Sequence, residues 1–576
     1  MATRIERWYR PDLPTLPIRE WLPRYRRRWL RPDVIAAVAV WAVLVPEGMA
    51  YASLAGMPPQ AGLFAALAPL LAYAVLGTCR QLSVGPSSAV AAYSAAAVAP
   101  LAVGDSGRFI ALSALLALLA GILLLAGGLA RAGFIADFFA KPVMTGFIGG
   151  LALVIAVGQL SKLFGVPGGG TGFFGKLYEL VSQLPGYSPA SFLIGIGALG
   201  LILALRRVAP KVPGVLVAVV LGVVLVKTFN LQDHGVAVVG ALPAGLPSLA
   251  VPHIAFGDVR ELLPDAFALA LIAFAESIAA ARQLAAAHRY EVDPDQELVA
   301  LGAANIGAGL FKGFAVDGSL SRSAVADSSG AKSQLTSILL FCLLVVTMLF
   351  LLPLFHDLPE AVLGAIVIAA VSHLVDIRAL RRLRRVDHTD FVIALLCFAG
   401  VLVFGLLVGL AISVGLSLLA VVYRAYRPSY AVLGRAPGAV DDEQFRYRGI
   451  EDHPDAETFP GLVILRVDGE LFFANARWFR DVVRSLVRGQ SPPVRELLVH
   501  AGAVPHIDTT AAEMLKGLIK ELDEAGVTLA FARATTDLVH ELQRNGITRM
   551  VDHDLFFDTV AAGVDAYLHW SQPRLG

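Results

Sequence analysis

Long apolar runs alternate with short polar stretches from about residue 33 to about residue 424 of the chain. Runs of this length, repeated so often, predict helices that cross a bilayer. We count about fourteen of them, at roughly 34–51, 61–77, 86–100, 109–130, 135–158, 190–206, 213–229, 263–286, 296–311, 320–332, 335–353, 360–374, 388–405 and 406–424. The pattern therefore predicts an α-helical polytopic membrane domain over residues 33–427.

The third and the tenth segments are shorter than the others, and each begins at a break that contains Gly, Ser or Pro. The first break is LSVGPSSA at 82–89, and the second is VDGSLSRS at 316–323. Because each short segment is the third of seven, the pair predicts two inverted seven-segment repeats with a binding site between half-helices. Half-helices that begin at mid-membrane direct free backbone N–H groups and positive dipole ends at a ligand, which favours an anion.

Basic residues lie on one side of the predicted membrane. The N-terminal arm, residues 1–32, is rich in Arg, and the loops after the fourth, sixth, eighth and twelfth segments also carry Arg. Because cytoplasmic loops carry an excess of Lys and Arg, we expect both termini in the cytoplasm and a multi-pass protein of the inner (plasma) membrane. The arm is not apolar, and no cleavable signal peptide is visible in it.

The last part of the chain has the composition of a soluble domain. We expect a linker over 428–458 and a small α/β domain over 459–570. Predicted strands at 462–467, 496–500 and 527–531 alternate with predicted helices at 476–487, 509–525 and 535–545. Alternation of this kind is typical of a layered α/β domain.

Composition and cysteine use exclude several classes of protein. The 576 residues are 56% hydrophobic and 16% charged, whereas a soluble domain carries about 25% charged residues. The three cysteines lie in or beside apolar segments, too scattered for a disulfide framework or a zinc site. No nucleophile–base arrangement or metal-ligand spacing stands out. We therefore expect no enzyme activity, no cofactor, no metal and no nucleic-acid partner.

Two acidic residues lie inside predicted membrane segments. Glu276 is surrounded by apolar residues at every helical spacing. An ionisable group at bilayer depth usually faces a cavity, so Glu276 is a candidate proton-binding residue, and its alternative is a structural carboxyl group bonded to a neighbouring helix. Glu47 lies between Pro46 and Gly48, which we expect to break the first helix. Tyr51 lies four residues later on the same helix face. Either the two residues bind substrate together, or Glu47 caps the kink and Tyr51 packs against its neighbours.

The two breaks supply polar side chains that suit an anion. Hydroxyl groups donate hydrogen bonds to a desolvated anion and also cap helices, so the serines have both roles open: Ser87, Ser88, Ser319 and Ser321. Arg322 is a cation within the membrane, which either contacts an anion or balances Glu276 or Glu47. The sequence leaves open whether Asp317 lies within the second break or at its mouth.

In the α/β domain, Asp508, Thr509 and Thr510 lie between a predicted strand and a predicted helix. Asp or Thr at that position caps the helix, which is the favoured interpretation. The alternative is a regulatory phosphate acceptor, since a phosphate at a helix N-terminus is favourable.

Four stretches together resemble the SulP family of sulfate permeases and related anion transporters. They are PEGMAYASLAGMPP at 46–59 with its continuation through LSVGP at 82–86, AFAES at 273–277, GSLSRSAV at 318–325, and GELFFANA at 469–476 with IDTT at 507–510. The last pair resembles the C-terminal STAS domain of this family.

The resemblance implies fourteen segments divided into a core and a gate, with a small cytoplasmic STAS domain. It implies an anion held between the third and tenth half-helices, elevator-like movement of the core, and a homodimer. Carried onto this chain, the site comprises Glu47, Tyr51, Ser87, Glu276, Ser321 and Arg322. The resemblance also makes Thr509 or Thr510 the acceptor of a regulatory phosphate.

The leading hypothesis is therefore symport of sulfate with protons. Many sulfate-transporting relatives carry Gln in place of Glu47, and a second carboxyl group would repel an anion unless it is protonated, which favours proton coupling. The eighth segment carries Glu276, whereas a sodium-coupled bicarbonate relative suggests Asp, which makes sodium coupling less expected. The alternatives are bicarbonate or a C4-dicarboxylate as the substrate, an anion channel, and a membrane signalling protein that acts through its STAS domain.

Overall fold

The computed structural model describes residues 16–138, 141–170, 172–209, 212–249, 255–372, 376–437, 447–488 and 491–571. The first 15 residues of the predicted arm and residues 438–446 of the predicted linker therefore lie outside the described residues. The chain divides into two compact units, Met1–Ser417 and Leu418–Gly576.

Every predicted apolar segment overlaps an α-helix. In the described part of the chain before the small sheet, the α-helices are α1 (Ile18–Trp21), α2 (Leu30–Leu54), α3 (Gln60–Leu76), α4 (Ser88–Ala102), α5 (Ser106–Leu129), α6 (Lys141–Phe164), α7 (Gly172–Gln183), α8 (Pro189–Val208), α9 (Gly214–Phe229), α10 (Phe256–His288), α11 (Pro294–Leu310), α12 (Leu320–Ser328), α13 (Leu335–Val346), α14 (Glu360–Val371), α15 (Ile377–Val386), α16 (His388–Phe404) and α17 (Leu406–Tyr426). Among the described residues, six helices are long and apolar enough to cross a membrane, and five further apolar helices have 10–17 residues. The sequence did not predict α1, α7 or α15, because their apolar residues do not form continuous runs.

The first membrane helix is continuous, so the prediction that Pro46 and Gly48 break it is wrong. Helix α2 runs from Leu30 to Leu54 with Pro46 inside it. A proline in a helix interior removes one hydrogen bond, and close packing against α3 supports the helix here. A Cβ atom on Gly62 of α3 would collide with the carbonyl oxygen of Gly48. Glu47 therefore projects from an unbroken helix whose backbone lies against a neighbour.

The helices of the first unit pack mainly within two groups. One group contains α2, α3, α4, α5, α10, α11, α12 and α13, and the other contains α6, α7, α8, α9, α14 and α16. Glycines bring backbones of the first group together, since a Cβ atom on Gly302 of α11 would lie 2.6 Å from the amide nitrogen of Leu125 on α5. Such close approach leaves little freedom between α5 and α11.

The second unit contains one six-stranded sheet in the order β4-β3-β5-β6-β7-β8. Its strands are β3 (Ser429–Arg435), β4 (Tyr447–Gly449), β5 (Leu462–Asp468), β6 (Glu496–His500), β7 (Thr528–Ala532) and β8 (Phe556–Phe557). Its helices are α18 (Ala476–Val487), α19 (Thr509–Glu524), α20 (Thr536–Arg544) and α21 (Val560–Ser571). Strands β5 to β8 are parallel. Residues from α18, α19 and α20 pack with one face of the sheet and α21 packs with the other.

The sheet includes part of the stretch that was expected to be a linker. Strand β3 pairs antiparallel with β5, from Ser429 opposite Asp468 to Val432 opposite Leu465. The apolar residues of β3 form only a short run that ends at Gly434, and so short a run does not by itself predict a strand. Pairing with β5 supplies the missing stabilisation, so the α/β fold begins about thirty residues earlier than the predicted boundary at 459.

Candidate functional site

Two three-residue strands meet within the first unit. Strand β1 (Ser83–Gly85) pairs antiparallel with β2 (Asp317–Ser319), with Val84 opposite Gly318. Helix α4 begins three residues after β1, and α12 begins directly after β2. The two breaks in the sequence therefore lie side by side, and two short helices begin next to them.

Side chains from α10 and α11 hold the backbone of the second break. Ser277 on α10 accepts a hydrogen bond from the Gly318 amide at 2.7 Å and donates one to the Ala273 carbonyl at 2.6 Å. Asn305 on α11 accepts from the Val316 amide at 2.9 Å and donates to the Val316 carbonyl at 3.0 Å. These bonds satisfy buried peptide groups that have no place in a regular helix.

A serine of α12 ties the two breaks together. The Ser323 hydroxyl accepts from the Ser83 amide at 2.8 Å and donates to the Ser319 carbonyl at 2.6 Å. Ser319 is the N-cap of α12, and its hydroxyl accepts from the Arg322 amide at 3.4 Å. The hydroxyl groups of Ser319 and Ser321 lie 3.2 Å apart. Ser319 thus performs the capping role that the sequence left open.

The serines at the start of α4 are placed differently. Ser87 occupies the N-cap position without a capping side-chain bond, and Ser88 is the first residue of the helix. Both are buried, and the Ser87 hydroxyl faces Asp317 without hydrogen-bond geometry. It is therefore available as a donor to a ligand. Pro86 directly precedes the N-cap residue.

Arg322 is the central cation of the site and is completely buried. Its Nη1 donates to the Pro86 carbonyl at 2.5 Å and lies 3.7 Å from Oε2 of Glu47. Of the carboxyl groups that the sequence offered as partners, Glu47 is therefore at ion-pair distance. The Nε and Nη2 atoms are buried without an acceptor in the described part of the chain. A guanidinium group has five N–H donors, so Arg322 keeps donors for a further acceptor.

Asp317 lies within the second break, a position that the sequence left open. Its side chain is completely buried, and neither carboxyl oxygen has a hydrogen-bond partner among the described residues. It faces Glu276 of α10, which is itself partly exposed. Its position directly before Gly318 in the second break was the signal that could have identified it.

The remaining predicted site residue of the first unit also lies here. Tyr51 is 3% exposed and faces Glu47 on α2. Three carboxyl groups, one guanidinium group, a phenol and several hydroxyls thus meet at the two helix starts. Among the described residues, no cluster of three His, Cys, Asp or Glu side chains is placed to hold a metal ion.

The predicted regulatory residues lie in the second unit. Asp508 is the N-cap of α19: its Oδ1 accepts from the Ala511 amide at 2.7 Å and its Oδ2 from the Phe473 amide at 2.8 Å. Thr509 and Thr510 are exposed in the first turn of that helix. The geometry accounts for Asp508 as a cap and leaves both threonine hydroxyls at the surface.

Comparison with family models matches both units. Residues 30–397 match the model of the sulfate permease family, and residues 453–563 match the model of the STAS domain. A probable sulfate transporter of Mycobacterium tuberculosis is 38% identical over 561 residues, covering 96% of this chain and 99% of that protein. The chloroplastic sulfate transporter 4.1 of Arabidopsis thaliana is 33% identical over 575 residues, covering 96% of this chain and 83% of that protein.

Solved structures share the fold. The murine Solute Carrier 26 family member A9 anion transporter, in its inward-facing state, matches with a TM-score of 0.87 at 22% identity, covering 99% of this chain and 98% of that chain. The transmembrane domain of a cyanobacterial bicarbonate transporter, BicA, matches with a TM-score of 0.61 at 25% identity, covering 68% of this chain and 99% of that chain. The first of these likenesses shows the fold of nearly the whole chain, and the family models identify its C-terminal part as a STAS domain.

Proposed function

The chain belongs to the sulfate permease family of anion transporters, and we propose that it carries sulfate together with protons across a membrane. The observation that carries this proposal is the buried guanidinium group of Arg322, which has unused donors where two helices begin. Relatives of 38% and 33% identity are named as sulfate transporters, which supports sulfate as the substrate.

The anion would bind between the starts of α4 and α12. The first amide groups of a helix lack intrahelical partners and carry a partial positive charge. Arg322 adds a full charge, and the Ser87 hydroxyl adds a donor that has no partner within the described residues. A tetrahedral oxyanion accepts several hydrogen bonds at once, so donors that converge from different directions suit it.

The proton would bind at the facing carboxyl groups of Glu276 and Asp317. If Glu47, Glu276 and Asp317 were all ionised, Arg322 would leave the site with two net negative charges, which repel an incoming anion. A proton held by Glu276 and Asp317 lowers that repulsion. Thermodynamic reciprocity then requires that the anion also strengthen proton binding. This linkage is the physical basis that we propose for symport.

Transport would follow an elevator-type movement. The helix group that contains α4 and α12 carries all the proposed ligands, and the second group contributes none of them. Movement of the first group past the second would expose the site on alternate sides. The antiparallel pairing of β1 and β2 supports the two inverted repeats. The homodimer and the cytoplasmic position of both termini stay predictions.

Uptake of radiolabelled sulfate into proteoliposomes tests the proposal. An inward proton gradient should drive accumulation by the unmodified protein. Glu276→Gln should lose the response to the gradient but keep sulfate–sulfate exchange, and Asp317→Asn should weaken the response. Glu261→Gln is the matched control, because Glu261 is an exposed carboxylate on the same helix. Accumulation that ignores the gradient, or that persists in Glu276→Gln, would refute proton coupling through Glu276.

A substrate panel separates the alternatives. Sulfate, bicarbonate, fumarate, succinate and chloride would be compared at two pH values, and the likeness to a bicarbonate transporter makes bicarbonate the main rival. Flux that scales with voltage and does not saturate would favour a channel. Loss of cellular function on deletion of the residues after about 440, with normal anion flux, would favour a signalling role for the STAS domain.

A further inference from the structure

A cavity of about 580 Å³ lies in the first unit, and none of its lining residues belongs to the proposed transport site. The N-terminal residues 17–29 line one part of it. The rest of the lining comes from the loops at 77–80, 290–293 and 332–334. These loops follow α3, α10 and α12, so they lie at one end of the helices, the end that the Arg distribution predicts to be cytoplasmic. The volume is that of a small-molecule site.

Four cations surround this cavity: Arg24, Arg26, Arg80 and Lys332. No ion pair joins any of them to a carboxylate in the described ranges of the chain. Two guanidinium groups lie over aromatic rings, Arg80 over Tyr290 at 5.0 Å and Arg26 over the Trp29 ring at 5.9 Å. Stacking of this kind orients a guanidinium group and leaves its N–H donors free at the edge.

The acidic residues of the lining do not neutralise these cations directly. They are Glu20, Glu291 and Asp293. Asp293 is already engaged, because its carboxylate caps α11 by accepting from the amides of Asp295 and Gln296 at 2.9 and 3.2 Å. The cavity therefore presents cationic donors and aromatic faces without an anionic partner held against them.

The surface beside the cavity is apolar. Helix α2 begins directly after Trp29 and exposes an apolar stripe that repeats at helical spacing, namely Leu30, Val34, Ile35 and Val38. On a helix that crosses a membrane, such a stripe faces lipid. Trp21 is fixed nearby, since its Nε1 donates to the Ala74 carbonyl of α3 at 3.2 Å. Trp and Arg at the end of a lipid-facing stripe are typical of the membrane interface.

We propose that this cavity binds the phosphate-bearing headgroup of an anionic phospholipid from the cytoplasmic leaflet. Basic pockets beside membrane helices bind such headgroups, and the adjoining apolar stripe offers a surface for the acyl chains. The site does not depend on which anion the protein transports.

A bound headgroup would also contact the loop that leads into β1. The Tyr290 hydroxyl donates to Oε1 of Gln81 at 2.7 Å and accepts from the Arg80 amide at 3.1 Å. Gln334 donates to the carbonyls of Cys79 and Leu82 at 2.7 and 3.0 Å. Anionic lipid at this site should therefore stabilise the segment that positions α4, and it should raise the thermal midpoint of the protein.

Binding of phosphatidylglycerol to the purified full-length protein tests the proposal, with phosphatidylcholine as the neutral lipid. The variant Arg24→Gln/Arg26→Gln/Arg80→Gln should weaken phosphatidylglycerol binding at least tenfold. The matched control is Arg19→Gln/Arg27→Gln/Arg28→Gln, which removes the same number of charges from the N-terminal arm outside the cavity lining and should change binding less than about threefold. Equal loss in the two triple variants would overturn the proposal in favour of general attraction to a charged surface.

Two further measurements test the lipid site on the unmodified protein and do not need a stable triple variant. A photoreactive phosphatidylglycerol analogue should label peptides that contain residues 17–29 or 77–80 of the unmodified protein, and labelling only elsewhere would refute the site. Inorganic phosphate should not displace the lipid. Displacement by phosphate, or a thermal shift produced by phosphate alone, would assign the cavity to a soluble anion and overturn the lipid source.

Discussion

The buried pair of Arg322 and Glu47 gives a quantitative prediction. At their separation of 3.7 Å, an effective dielectric constant of about 20 gives an attraction of about 4 kcal/mol. Removing one partner of a buried pair leaves the other charge without compensation and costs about 3–5 kcal/mol. Arg322→Met also removes a donor from the Pro86 carbonyl, so we expect this variant to lose about 4 kcal/mol of stability, at the middle of that range.

A double-mutant cycle isolates the pair from the other contacts. The variants are Arg322→Met, Glu47→Gln and their combination, compared by unfolding of the purified protein in one detergent at pH 7. The combination removes both charges, so its loss of stability should be smaller than the sum of the two single losses, by a coupling energy of about 2 kcal/mol. If the losses of the single variants simply add, the two charges do not stabilise each other and the reasoning is refuted.

The same variants separate stability from ligand binding. Sulfate should raise the unfolding midpoint of the unmodified protein, because a ligand that binds only the folded state stabilises it. The double variant should be folded and yet show no such shift, since its guanidinium donors are gone. A sulfate shift of unchanged size in either variant that lacks Arg322 would show that this residue is not a ligand.

Three other changes have expected effects on stability. Burial raises the pKa of Glu496 from its ordinary 4.5 to about 7, so between these pH values the folded second unit keeps a proton that the unfolded chain releases. The stability of the unit should therefore fall by about 1–3 kcal/mol as the pH rises through this range. In urea unfolding of this unit, Glu496→Gln should abolish this dependence of stability on pH. Asp508→Ala removes the α19 cap and should cost the same unit about 1–2 kcal/mol, whereas Thr509→Ala should cost less than about 0.5 kcal/mol. Ser277→Ala leaves the buried Gly318 amide without its acceptor and should cost the full-length protein about 1–3 kcal/mol in thermal unfolding.

Each of these has an outcome that would contradict it. A pH slope that survives in Glu496→Gln would assign the proton to another group. Equal losses in Asp508→Ala and Thr509→Ala would mean that the cap contributes nothing specific. Ser94→Ala is the control for Ser277→Ala, because the Ser94 hydroxyl is buried without a partner among the described residues and its removal should be neutral or stabilising. A larger loss for Ser94→Ala than for Ser277→Ala would refute the assigned role.

Local signals along the chain predicted much of this protein. The length of an apolar run specifies a membrane helix, and each predicted run overlaps a helix. Gly, Ser and Pro at the two breaks predicted where α4 and α12 begin, because these residues start helices and relieve backbone strain. Strands and helices were predicted to alternate in the second unit, and the strand predicted at 496–500 has the bounds of β6, Glu496–His500. These features depend on neighbours a few residues apart.

Contacts between distant residues decided the rest. Ser83 and Ser323 are 240 residues apart in the chain, and their hydrogen bond joins the two breaks. The partner of Arg322, the buried position of Asp317 and the continuous path of α2 through Pro46 all depend on which elements pack beside them. The energy of a buried charge or a disrupted helix turn is set by its surroundings, and a linear pattern does not contain those surroundings. The sequence alone therefore predicted an anion site between two half-helices, and the tertiary structure showed which carboxyl group faces the arginine and which faces another acid.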